Sequence, residues 1–264
     1  MPAKPDPLTR APALSNNRLN KTPGGLRSSG LLGKHPMVGL TMVFLGIALF
    51  GVMAINLQST GPLIQTDIQV ATDIHTGALQ SLPFSRDVMI FGFYLGEQGI
   101  IALGVLMGLY FLLKRLWAEL SMIVIAWAGE GSIWLALSAH FNRPRPVFDV
   151  AIWHQMTTPG FPSGHAFSAV MCFGLIAYLL VPKIRSHFGK TLLIISTLVI
   201  VVYIGYSRLF IGDHYLTDVL AGYGLGIAWT GFVYTSVELV ASRRENDREF
   251  GNSRPTSNTN GWSA

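Results

Sequence analysis

Apolar residues in this chain fall into six long blocks, at 37–56, 88–113, 117–141, 165–181, 191–206 and 215–240, separated by more polar stretches of unequal length. A helix crossing the hydrocarbon core of a bilayer needs about 20 predominantly apolar residues. The first block, MVGLTMVFLGIALFGVMAIN, has that length. Unbroken apolar blocks, without strict alternation, predict helices that satisfy their own backbone in lipid. The pattern therefore predicts an all-α fold, a six-helix transmembrane bundle. Blocks four and five are short, so either their ends extend into neighbouring polar positions or they are packed inside the bundle. Between spans one and two, IQTDIQVATDIHTGAL spaces its apolar residues helically among polar ones, which predicts an amphipathic helix lying on the membrane surface. Its His75 is expected to be solvated or interfacial. Gly222, Gly224 and Gly226 mark a face suited to close helix packing.

The ends differ in character. Residues 1–36, rich in Pro, Ser, Asn and Gly, carry six basic residues and no apolar period, the composition of a flexible tail. The expected organisation is a flexible basic tail at 1–36, a six-span membrane domain at 37–241 and a second flexible tail at 242–264. With half of its residues hydrophobic and 12% charged, the chain sits in the membrane class. The single cysteine, Cys172, can form neither an intrachain disulfide nor a cysteine-rich metal site. A net charge of +5 does not imply nucleic acid, because the basic residues flank apolar blocks as topology signals do. With both termini cytoplasmic, fifteen of the nineteen basic residues fall inside and four outside: Arg86, Arg143, Arg145 and Arg208. Three of those exceptions lie beside histidines and glycines, so a task other than topology is expected of them.

Three short stretches share the outer face: NRPRP at 142–146, PSGH at 162–165 and SRLFIGDHYLTD at 207–218. With the last helix starting near Gly212, His214 and Asp218 sit four residues apart on one face. The carboxylate could then accept a hydrogen bond from one ring nitrogen and leave the other free to act as nucleophile or base. In PSGH, Ser163 is a good N-cap, Gly164 allows close backbone approach and His165 opens a helix whose free amides suit an anion. Arg145 and Arg208 keep their charge, and their planar forks match phosphate oxygens. Together these groups describe a site for phosphoryl transfer.

In their order and spacing, Arg145-Pro146, Pro162–His165 and Ser207, Arg208, His214, Asp218 resemble the type 2 phosphatidic-acid phosphatase superfamily, in its bacterial integral membrane branch. The resemblance covers residues 37–240. It implies metal-independent hydrolysis without a cofactor, in which His214 attacks phosphorus and forms a phosphohistidine. Asp218 would orient His214. Arg145, Arg208, Ser163 and the Gly164 amide would hold the phosphate oxygens, and His165 would protonate the leaving group and then activate water. One position departs from the family: its first motif has a lysine seven residues before the arginine, where this chain has Ser138. Losing a charge-assisted contact costs about 1.5–3 kcal/mol; His140 and Arg143 are the candidates to replace it.

Glu97 and Glu130 fall inside spans two and three, where ionised groups are costly and often functional. Protonated, hydrogen-bonded contacts within the bundle, or a polar wall below the site, would each account for them. The expected function is removal of a phosphate from a lipid monophosphate or diphosphate at the outer leaflet, with undecaprenyl diphosphate, phosphatidate, phosphatidylglycerol phosphate and a lipid A phosphate as candidates. Transfer of the phosphate to a second acceptor is the first alternative. Non-catalytic binding or transport of a phosphorylated lipid, suggested by the absent lysine, is the second.

Overall fold

The computed structural model describes residues 36–59, 61–154 and 156–252. Its helices are α1 (Pro36–Gln58), α2 (Leu63–Gln80), α3 (Pro83–Tyr94), α4 (Ile100–Leu113), α5 (Trp117–Phe141), α6 (Gly164–Leu180), α7 (His187–Phe210) and α8 (Leu216–Asn252). A π-helical turn at Leu95–Gly99 joins α3 to α4, so Pro83–Leu113 forms one span. Among the described residues, six helical stretches are long and apolar enough to cross a membrane, as the hydropathy pattern predicts. The two short blocks are longer as helices, Gly164–Lys183 and His187–Phe210. Their ends run into polar residues, Arg208 among them, that a hydropathy boundary excludes.

α8 is the central span: 61% of its spanning window is buried, against 17% for α7. It packs α1 on one side and α6 on another. Glycines allow that approach, since a Cβ added at Gly46 of α1 would lie 2.4 Å from the Gly224 carbonyl of α8, and one at Gly222 would lie 2.5 Å from the Ser163 carbonyl. Without a hydrophobic force between spans, such backbone contact is how membrane helices gain dispersion energy. The glycine face at 222–226 thus serves two neighbours, α1 and α6.

α2 is the helix expected between the first two spans, but two of its residues behave differently from a surface helix in water. Asp67 is 1% exposed and His75 is 5% exposed. His75 is not solvated, because its ring stacks on Phe148 at 3.8 Å between centroids. α8 continues to Asn252, past the domain boundary expected at 241. Most of the first tail, and residues 253–264 of the second, lie outside the described residues.

Candidate active site

Three chain reversals build the site. α5 ends at Asn142, which takes a left-handed conformation (φ 41°) and returns its N–H to the Ser138 carbonyl at 2.9 Å. The following Arg-Pro-Arg-Pro cannot continue a helix, because each residue before a proline is excluded from the α region. α7 ends in a turn where Gly212 has φ +80°, a conformation glycine adopts without steric cost. α8 starts only at Leu216, which leaves His214 in the loop, ahead of the helix.

That later start changes the partner of His214. Its Nδ1 lies 2.7 Å from the Gly160 carbonyl and 3.6 Å from Asp218 Oδ2. The carbonyl can only accept, so Nδ1 carries the proton. Nε2 is left with its lone pair, 3.2 Å from Nη1 of Arg145. The expected outcome, one protonated nitrogen and one free, is present, but a backbone oxygen makes the bond assigned to the Asp218 carboxylate. Asp218 is occupied elsewhere. Its Oδ2 accepts from the Tyr215 N–H at 2.8 Å, the reach-back of a capping box from the third helical residue to the cap. Its Oδ1 accepts from Arg143 Nη1 at 2.5 Å.

Arg143 is 7% exposed and sits between two carboxylates, Asp218 and, at 2.8 Å, Asp67 of α2. Its guanidinium also lies over the Tyr215 ring, 4.3 Å from the centroid. Asp67 completes the brace by accepting from the Thr217 N–H at 2.9 Å and from the Thr217 hydroxyl. It thereby satisfies an amide at the start of α8 that has no partner within the helix. Burial opposes the charge on Arg143, but Asp218 and Asp67 outweigh it and hold its pKa above the ordinary arginine value.

Arg145 is placed differently. Its five polar contacts run to the Thr158 carbonyl (2.7 Å) and hydroxyl (2.9 Å), the Asp213 carbonyl (3.0 Å), the Pro159 carbonyl (3.4 Å) and His214 Nε2. No carboxylate forms an ion pair with it among the described residues. Burial lowers its pKa, with Asp213 and Asp218 opposing the shift. Asp213 is itself raised by burial, against the pull of Arg208 and Arg145. His214 lies well below the usual histidine range because of burial first, then the cations Arg145 and Arg208.

Arg145, His214, Gly164 and His165 line one cavity of about 370 Å³, whose other walls include Glu97, Glu130 and Trp134. Gly164 is packed against the Trp134 indole, where a Cβ would lie 3.0 Å from Nε1. Glu130 accepts a hydrogen bond from Ser168 at 2.6 Å, so it is both a bundle contact and part of the polar wall. Ser163 occupies the N-cap position of α6 but makes no capping bond. Its hydroxyl is buried without a partner. Arg208, fully buried, lies outside the cavity lining. Its guanidinium sits 4.6 Å from the Phe93 ring centroid, its Nη2 donates to Ser207 Oγ at 3.0 Å, and its Nη1 has no hydrogen-bond partner.

The stand-ins for the missing lysine are not at this cavity. Ser138 is buried and returns its hydroxyl to the Leu135 carbonyl at 3.2 Å. His140 is exposed and edges onto Phe141. Arg143 is spent on its two carboxylates. The reading of the sequence omitted Asp67, Thr217 and the Gly160 carbonyl. Asp67 and Thr217 are 150 positions apart, and no local spacing rule joins them.

A neutral imidazole whose free nitrogen faces an unpaired guanidinium is equipment for phosphate esters, and the six spans put it within reach of lipids. The class is an integral membrane enzyme of lipid phosphate chemistry. Comparison with known proteins agrees. The profile described as PAP2 superfamily matches residues 115–240. Phosphatidylglycerophosphatase B of Bacillus subtilis (strain 168) is 31% identical over 176 residues, covering 60% of this chain and 84% of that protein. A PA-phosphatase related-family protein of Dictyostelium discoideum is 38% identical over 72 residues, 25% of this chain and 20% of that one. The crystal structure of a transmembrane PAP2 type phosphatidylglycerolphosphate phosphatase from Bacillus subtilis superposes with a TM-score of 0.64 at 27% identity, covering 75% of this chain and 98% of that one. The chain belongs to the PAP2 superfamily, and it is a lipid phosphate hydrolase.

Proposed function

We propose that this enzyme hydrolyses the phosphomonoester of phosphatidylglycerol phosphate at the outer face of the membrane, with both termini cytoplasmic. The substrate follows from the similarity to the Bacillus phosphatase. The side follows from the excess of basic residues in the opposite loops. One observation carries the chemistry: Nε2 of His214 is unprotonated and its electron pair faces Nη1 of Arg145, the donor it accepts from, in the shared cavity.

When the phosphate enters, Arg145 turns from Nε2 to a phosphate oxygen, held in place by the carbonyls around it. Nε2 attacks phosphorus and the P–O bond to the lipid breaks. The leaving alkoxide takes a proton from His165. Water then attacks the phosphohistidine, gives its proton to His165, and the P–N bond breaks to release inorganic phosphate. The partnerless Ser163 hydroxyl and the first amides of α6 are the donors available to the charged oxygens of the transition state, while Arg208, outside the cavity lining with Nη1 3.7 Å from Asp213 Oδ2, contributes its positive charge from a distance. Asp218 acts through the frame, by fixing the cap of α8 and Arg143.

The test is phosphate release by purified protein in EDTA from phosphatidylglycerol phosphate, phosphatidate and undecaprenyl diphosphate, with His214→Ala alongside. The proposal expects metal-free turnover, fastest with phosphatidylglycerol phosphate, and none in the variant. Turnover that requires a divalent cation would contradict the mechanism. Product analysis in the presence of an acceptor alcohol separates hydrolysis from transfer.

A further inference from the structure

The phosphoryl-transfer scheme leaves two carboxyl groups of the cavity unused, Glu97 and Glu130. Glu97 lies in the π-helical turn Leu95–Gly99, flanked by α-helix on both sides. A π turn inserts a residue into a helix and re-aims the side chains around it. Next to Glu97, Gly96 is pressed against His165. A Cβ there would lie 3.0 Å from His165 Cδ2 and 2.8 Å from Ile204 Cγ2, so any larger residue would push the turn away. Glu97 Oε2 is consequently 3.7 Å from His165 Nε2, and neither atom has a hydrogen-bond partner. That separation is too long for a hydrogen bond and short enough for an ion pair. The Nε2–H therefore stays available to a leaving oxygen.

The charges facing His165 make this carboxylate consequential. Arg145 and His214 face it from the outer loops and Arg208 from α7. Glu130 faces the same cavity from α5 but is engaged by Ser168. To donate a proton, His165 must be an imidazolium among these cations. Glu97 is the carboxylate within ion-pair distance of it among the described residues.

We propose that Glu97 is a positioning residue for proton transfer, the counter-charge that keeps His165 protonated until the leaving group departs. The inference rests on the phosphatase reading with His165 as its acid. As the P–O bond breaks, the Nε2 proton passes to the leaving alkoxide and His165 becomes neutral. A proton from the attacking water then restores the imidazolium beside Glu97.

An alkyl leaving group needs that proton, whereas nitrophenolate leaves without it. The experiment compares dioctanoyl phosphatidate with 4-nitrophenyl phosphate in Glu97→Gln. General acid catalysis contributes roughly 10²–10⁴-fold. We expect kcat for the alkyl ester to fall at least about tenfold while that for the aryl ester changes less than about threefold. An opposite charge at 4–6 Å shifts a pKa by about 1–3 units, so the alkaline limb of the alkyl-ester pH profile should move down by about 1 unit or more. Glu97→Asp should restore part of both. Equal losses on the two esters, or an unmoved alkaline limb, would overturn the proposal. Should Glu97→Gln not fold, Glu97→Asp carries the test, and a loss blind to the leaving group overturns the proposal there too. If the wild-type protein cleaves neither these esters nor phosphatidylglycerol phosphate, the phosphatase reading itself fails and takes this inference with it.

Discussion

Arg143 and Arg145 are two residues apart in one loop, yet they belong to different regions of the molecule. Arg143 enters the brace beneath α2, where two carboxylates neutralise it and the loop is tied to the start of α8. Arg145 enters the cavity, where neutral carbonyls hold its fork in place and leave its charge available. Both side chains are arginine, and the sign of the surrounding oxygens decides which one can serve a phosphate. A guanidinium already shared by two buried carboxylates gains little from a third anion. One held by carbonyls is oriented without being neutralised.

Substitutions can break this contrast. The largest effect is expected at Arg145→Ala, because removing one donor to a developing oxyanion costs about 10²–10³-fold in kcat. Its melting temperature in detergent should change little. Arg143→Met should reverse the pattern. Removing one partner of a buried ion pair destabilises by about 3–5 kcal/mol, so unfolding should shift strongly while the KM of the surviving folded enzyme stays near wild type. A raised KM without loss of stability would place Arg143 on the substrate instead.

The pH profile sharpens the same comparison. On the proposed mechanism His214 must be neutral to attack, and its pKa is held well below 6.5 by burial and by Arg145 and Arg208. The acidic limb of kcat/KM should therefore lie below pH 6.5. Arg145→Gln removes a cation that disfavours the imidazolium, so the limb should move upward, toward 6.5. A downward shift would contradict the assigned electrostatics. The smallest effect is expected at His140→Ala, less than about twofold in phosphate release, as for ordinary surface substitutions. A large loss there would restore His140 as the replacement for the absent lysine.

Much of this was legible in the sequence for a physical reason. Lipid demands long apolar helices, so six spans and the surface helix follow from hydropathy alone, apart from the ends of spans four and five. The grouping of Arg145, Gly164, His165 and His214 was legible because all sit at or just beyond the ends of spans. The partner of Nδ1 was not, since a backbone carbonyl at Gly160 carries no side-chain signal. The start of α8 hid the role of Asp218. A helix from Gly212 puts it on the face of His214, whereas a helix from Leu216 makes it the capping acid for Tyr215. Asp67 belongs to a helix whose amphipathic pattern points to a membrane surface, and only the fold brings it to Arg143.

The central claim is that Nε2 of His214 becomes bonded to phosphorus. Its most direct test is rapid quenching, at alkaline pH, of the enzyme turning over phosphatidylglycerol phosphate with a radiolabelled terminal phosphate, followed by peptide mapping. The account predicts acid-labile label on His214 and none on His214→Gln. Turnover with no label on His214, or label that persists in His214→Gln, would contradict it.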